Sequence, residues 1–228
     1  MIHLAQASEG FFSWDWVVNH LDDIWARTVE HLMLTAIAVV VGMLISLALS
    51  VVALRYRWTY SPITWFTGIL YTIPSLALFA FLVPVTGLSV LTAEIGLVSY
   101  TLLILIRNTV AGIDGVPEAT IESARGMGYT DRGLFFSVEL PLALPVIIAG
   151  IRIAAVTTIG LVTVTALIGQ GGLGFFILRG LNLFYSPIGT TQIVVGTVVS
   201  VALAVAVDLT LVGVQHLATP WSRRKATA

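Results

Sequence analysis

Long runs almost free of charge alternate with short polar breaks along this chain, and none of the runs shows the period-2 alternation of a half-buried strand. Five runs stand out: about Leu32–Leu54, Ile63–Val85 (interrupted by Pro74), Leu88–Ile106, Leu142–Ile168 and Ile193–Leu217. Each approaches or exceeds the roughly 20 residues that carry a helix across a hydrocarbon core of about 30 Å. In lipid, backbone polar groups must be satisfied within the segment or in a closed barrel, and runs of this length favour helices. The pattern predicts an all-α integral membrane protein with about five transmembrane helices.

Composition agrees. The 228 residues are 57% hydrophobic and only 10% charged, with a mean hydropathy of +0.98. A soluble domain carries about 25% charge, so lipid is the solvent here. The absence of cysteine excludes disulfides and thiolate metal sites. The four histidines, His3, His20, His31 and His216, lack metal-ligand spacing and are expected at the surface or the interface. No basic tract suits nucleic acid.

Residues 1–30 lack the basic flank and continuous apolar core of a cleaved signal, and are expected to stay as an extracytoplasmic, interfacial segment. They mix Phe11, Phe12, Trp14, Trp16 and Trp25 with Asp15, Asp22 and Asp23, a combination suited to the membrane–water boundary. Residues 31–219 form the transmembrane domain and 220–228 a basic tail. Charge sets the orientation. Arg55, Arg57, Arg107, Arg125, Arg132, Arg223, Arg224 and Lys225 fall on one side of a five-span arrangement, which is then cytoplasmic. The other side holds Glu9, Asp15, Asp22, Asp23, Glu30 and Glu94, with Arg27 and Arg179 as its basic residues. The N-terminus is expected outside and the C-terminus inside. A crossing by the N-terminal segment would reverse the first of these, and its aspartates argue against one.

The largest cytoplasmic loop, about 107–141, is polar and rich in glycine. Pro117 suits the first turn of a helix and Glu118 its positive end. Ile121, Ala124 and Gly128 recur near one face, and Gly126 and Gly128 suit a sharp stop or close approach by another surface. Thr130 is a candidate N-cap for a second short helix, after which Pro141 opens the fourth span. A solvated linker is the plain alternative, but it would need neither an apolar-and-glycine face nor two helix starts. The loop is expected to be a docking elbow.

Within it, Glu122-Ser123-Ala124, Gly128, Val138 and Leu140-Pro141 stand at fixed spacing. This resembles the cytoplasmic signature of importer permeases of the ATP-binding cassette (ABC) class: E-A-A, three residues, G, nine residues, I, any residue, L-P. Ser for Ala and Val for Ile are the departures. "YTIPSLALFAFLVP", "IRNTVAGIDGVP", "VELPLALPVIIAGIR" and "IGQGGLG" are similar to permeases of the glycine betaine, carnitine and choline importers, over about Tyr71–Gly174. The resemblance implies a type I ABC importer permease (MetI-like) fold in a bacterial or archaeal cell membrane. It also implies that Glu122, Ser123, Ala124, Arg125, Gly126, Met127, Gly128, Tyr129, Val138, Leu140 and Pro141 form a coupling loop seated on a partner ATPase. Two ATPase subunits, a second permease chain and an extracytoplasmic solute-binding protein follow as partners. ATP and Mg would be bound by the ATPases, since no G-x-x-x-x-G-K-[ST] occurs in this chain, and the subunit would be non-catalytic.

Three further features carry open readings. Gly169, Gly171, Gly172 and Gly174 form "GQGGLG", which satisfies G-x-G-x-x-G but follows a membrane helix instead of a strand. A tight turn or re-entrant bend at the outer mouth, part of a gate or a binding-protein contact, fits better than a dinucleotide site. Pro74, with Tyr71 and Ser75, breaks the second run, either as a simple kink or as a flexing pore element. Arg152 and Asp208 lie roughly 16 and 13 Å from the cytoplasmic ends of their spans at about 1.5 Å per residue. Matching depths predict an interhelical pair, with a direct transport role as the alternative. A permease of the same fold for methionine, another amino acid or an oxyanion is the near rival in function. An ion-coupled secondary transporter is the distant one, disfavoured because Asp208 alone among the acids lies deep in a span. A non-transporting membrane scaffold is a third.

Overall fold

A computed structural model describes residues 11–221. Glu9, His3 and the basic residues Arg223, Arg224 and Lys225, used above for orientation, lie outside the described residues. Every regular element among those described is helical. The order is α1 (Trp14–Asn19), α2 (Leu21–Arg55), α3 (Tyr60–Thr72), α4 (Ser75–Thr86), α5 (Val90–Asp114), α6 (Glu118–Gly126), α7 (Asp131–Leu134), α8 (Leu140–Val164), α9 (Gly174–Asn182) and α10 (Pro187–Ala218). Four helical stretches are long and apolar enough to cross a membrane: Leu21–Arg55, Val90–Asp114, Asp131–Ile168 and Pro187–Ala218. The second apolar run is the exception to the five-span pattern. It forms two helices, α3 and α4, broken at Ile73 and Pro74, and the count reaches five only when this pair is taken as one span. The cause is local: Ile73 (ψ 128°) and Pro74 (ψ 132°) are both extended, as expected for proline and the residue before it.

The chain divides into two compact units whose boundaries fall inside or beside the long helices, near Ala38, Ile73, Leu97, Val156 and Val205. The first holds the described residues up to Ala38, with Pro74–Leu97 and Thr157–Val205. Its core joins Trp16 to Leu173, Phe176 and Val195, and Trp16 meets Phe176 edge-on at 5.8 Å. The N-terminal aromatics therefore divide. Trp16 is buried while Phe11, Trp14 and Trp25 are exposed. Ser13 caps α1 by accepting from the Trp16 amide, and its own N–H donates to Thr191 Oγ at 2.8 Å. His31 departs from the surface placement expected of the histidines. It is fully buried, with Nε2 at 2.9 Å from the Ile159 carbonyl, because a polar ring inside a bundle is tolerated where the backbone supplies a partner.

The second unit holds Val39–Ile73, Val98–Val156 and the chain from Ala206 onward. Ala53, Ile106 and Val110 form a small core, flanked by Leu49, Leu54, Tyr60, Ile63 and Leu102. Small residues let its helices approach closely, as packing within membranes favours: a Cβ on Gly42 would strike Thr101, and one on Gly150 would strike Asn108. Arg57 and Asp114 close the unit's polar end with two hydrogen bonds of 2.8 Å.

Candidate functional site

The elbow lies wholly within the second unit. Pro117 stands at the N-cap instead of inside the first turn (φ −59°, ψ 130°), and α6 starts at Glu118. The helix ends through its backbone. Gly128 takes φ 87°, its N–H donates to the Arg125 carbonyl at 2.9 Å, and the Tyr129 N–H reaches back to the Ala124 carbonyl at 3.2 Å. This is a Schellman stop, in which a left-handed residue lets two amides satisfy the last helical carbonyls. Open space surrounds Gly126 and Gly128, where an added Cβ would meet nothing within 4 Å. Gly128 is thus required by its dihedral angle and not by the approach of another part of this chain.

Thr130 caps the next segment, its hydroxyl accepting from the Gly133 N–H at 3.2 Å. The second helix is not a separate short element, however. Asp131–Ile168 runs as one 38-residue helical stretch, with a π-helical turn at Phe135–Glu139 leading into α8. The reason lies at Pro141. Its ring has no N–H to give and presses on the carbonyl four residues back, and widening the preceding turn is one way a helix accommodates this. The elbow therefore passes directly into α8 without a hinge loop.

Burial divides the signature residues. Glu122, Ser123, Arg125, Gly126, Met127, Gly128 and Tyr129 are exposed, and Met127 keeps 72% of its surface. Ala124 is buried, and Val138, Leu140 and Pro141 are half-buried at the entry to α8. The first group presents a surface, and the second holds the surface to the membrane helix.

On α8 and α10, Arg152 and Asp208 meet through Nε–Oδ1 at 2.8 Å and Nη2–Oδ2 at 2.9 Å. Gln215, which the sequence did not single out, extends the group: it accepts from Arg152 at 3.5 Å and donates to the Pro145 carbonyl at 3.3 Å. Its signal was spacing, since it stands two turns beyond Asp208.

Among the gate candidates, Tyr71 lies in the last turn of α3, Pro74 is the N-cap of α4 and Ser75 its first residue. Tyr71 packs edge-on against Tyr100 at 5.9 Å. The Tyr100 hydroxyl donates to the Ile73 carbonyl, a group left outside both helical ladders by the break. Tyr100 was missed because its partner is an interrupted backbone. The glycines lie in the first unit. Gly169, Gly171 and Gly172 take φ of 80°, 123° and 47°, and Gly174 opens α9. The Gly172 N–H donates to Glu30 Oε1 at 3.3 Å, and Glu30 also pairs with Arg27 at 2.7 Å. A Cβ on Gly172 would strike His31 and the Arg27 carbonyl, and one on Gly174 would strike the Thr163 backbone. The motif is a turn pressed against α2, with no strand before it among the described residues.

Residues 38–216 match the family described as binding-protein-dependent transport system inner membrane component. The chain belongs to this family. It is 40% identical over 194 residues to the choline transport system permease protein OpuBB of Bacillus subtilis (strain 168), covering 85% of this chain and 88% of that one. The carnitine transport permease protein OpuCB of Listeria monocytogenes is 37% identical over 90% of this chain and 92% of its own. The osmoprotectant import permease protein OsmW of Salmonella typhimurium is 36% identical over 85% and 90%. In fold, an inward-facing structure of the MetNI methionine ABC transporter superposes with a TM-score of 0.73 at 22% identity, over 86% of this chain and 96% of that one. These matches make the protein a multi-pass membrane component of a transport system with a type I ABC permease fold.

Proposed function

We propose that this chain is the membrane-spanning, non-catalytic subunit of an ATP-driven importer of compatible solutes: glycine betaine, carnitine, choline or a related quaternary ammonium compound. The observation that carries the reading is the Glu122…Pro141 signature, standing on an exposed, capped elbow whose second half, from Asp131, runs on as a membrane helix. The solute class rests on relatives whose names specify choline, carnitine and osmoprotectant transport. Two permease chains, identical or paralogous, line the path. Two ATPase subunits, which bind ATP and Mg, seat the exposed face around Met127, and a binding protein delivers solute to the outer side. The basic loops face the cytoplasm, with the N-terminus outside. When the ATPases close on ATP, the elbow moves and α8 moves with it, because no flexible linker absorbs the displacement.

The methionine reading retains support from the fold alone, since that neighbour is 22% identical. The test is uptake into vesicles holding the chain with its ATPase and binding protein. ATP-dependent accumulation of a quaternary ammonium solute is expected. Accumulation by this chain without ATP, or of methionine in preference, would overturn the reading.

A further inference from the structure

Arg107 begins as one of the basic residues that orient the chain, just beyond the third apolar run. The structure gives it a different setting. Helix α5 continues to Asp114, which puts Arg107 about 10 Å before the helix end at 1.5 Å per residue. No described residue pairs with its guanidinium, whereas Arg57 and Arg152 each hold an aspartate through two hydrogen bonds. An unpaired guanidinium in a spanning helix usually faces a water-filled cavity or a substrate path. Here it lines a groove of about 400 Å³ together with Thr64, Trp65, Gly68, Tyr71 and Thr72 from one face of α3. The groove stays within the second unit and ends beside the Ile73–Pro74 break.

Its chemistry is specific. Trp65 and Tyr71 offer π faces, which attract a quaternary ammonium that cannot donate hydrogen bonds. Arg107 offers planar N–H donors that suit a carboxylate. Gly68 leaves space between the aromatic positions, where an added Cβ would meet nothing within 4 Å. We propose that Arg107, Trp65 and Tyr71 form a transit subsite for a zwitterionic quaternary ammonium solute, with its carboxylate on Arg107 and its ammonium against the rings. The proposal rests on the solute class proposed above and narrows it. Glycine betaine and carnitine carry the carboxylate. Choline lacks it, and Arg107 repels its charge.

The experiment compares ATP-driven uptake of glycine betaine, carnitine and choline by the reconstituted importer carrying wild-type chain, Arg107→Gln, Arg107→Lys or Trp65→Ala. Losing a charge-assisted hydrogen bond should lower glycine betaine and carnitine uptake by Arg107→Gln roughly tenfold. Choline uptake should hold or rise, Arg107→Lys should keep most of the preference, and Trp65→Ala should depress all three solutes. Equal loss of the three in Arg107→Gln, as a lipid-anchoring or assembly role would give, overturns the subsite. So does an unchanged choline-to-betaine ratio, or uptake untouched by Trp65→Ala. A wild-type importer that accumulates none of the three removes the solute reading and the subsite with it, and that result is distinct from wild-type transport with an unmoved ratio.

Discussion

At the residue scale, two glycines with left-handed backbones have different reasons to be glycine. Gly128 sits in open space, so alanine there meets only the dihedral cost of about 1–2 kcal/mol. Gly172 adds contact with His31 and the Arg27 carbonyl, and overpacking raises the loss to roughly 3 kcal/mol. Thermal unfolding in detergent should rank Gly172→Ala well below Gly128→Ala, and equal midpoints would contradict this account. Arg152 and Asp208 make a second residue-scale case. Removing either partner leaves the other charge in its span without a counter-ion. Arg152→Ala or Asp208→Ala should each lower the yield of folded protein in membranes, and the exchanged pair Arg152→Asp with Asp208→Arg should recover it. A double variant no better than the singles would show that the two side chains contribute separately.

At the scale of elements, the proposed coupling places the junction between the elbow and α8 on the route by which displacement would reach the membrane. Replacing Pro141 by alanine restores an N–H and removes the ring that the π-helical turn accommodates. The turn should then tighten into regular α-helix, which rotates everything before it by about 100° per residue of register. Pro141→Ala is accordingly expected to keep or raise the melting temperature while weakening ATPase association measured by co-purification. Retained association at wild-type strength would mean that the register of the elbow does not matter. Much of this junction was legible in the sequence. Thr130 followed by Asp131 reads as a cap, and Gly126 and Gly128 as a stop, because caps and stops are set by a few adjacent residues. What the sequence did not reveal depended on distant partners. Tyr100 satisfies a carbonyl freed at Ile73, Gln215 completes a pair on another helix, and His31 is buried by a backbone oxygen 128 residues away. The continuity of Asp131–Ile168 was also hidden, since Pro141 reads as a boundary unless the turn before it widens. The grouping of Arg107 with Trp65 and Tyr71 stayed invisible for the same reason: it needs the packing of α3 against α5.

For the whole molecule, direction of transport depends on which face carries the elbow. The bias of arginine and lysine toward the loops holding Arg55, Arg57, Arg125 and Arg132 predicts that this face is cytoplasmic, and an ATPase socket on the outer face would have no ATP. The chain lends itself to a direct test because it contains no cysteine, so any introduced thiol is unique. Met127 lies on the elbow with 72% of its surface exposed, and Tyr185 lies between α9 and α10 fully open to solvent. A membrane-impermeant maleimide added to intact cells should label Tyr185→Cys and spare Met127→Cys. Opening the membrane should expose Met127→Cys as well. Labelling of Met127→Cys in intact cells would invert the topology. The elbow would then lie where no ATPase operates, and the coupling mechanism would fail even if the fold and the family stood.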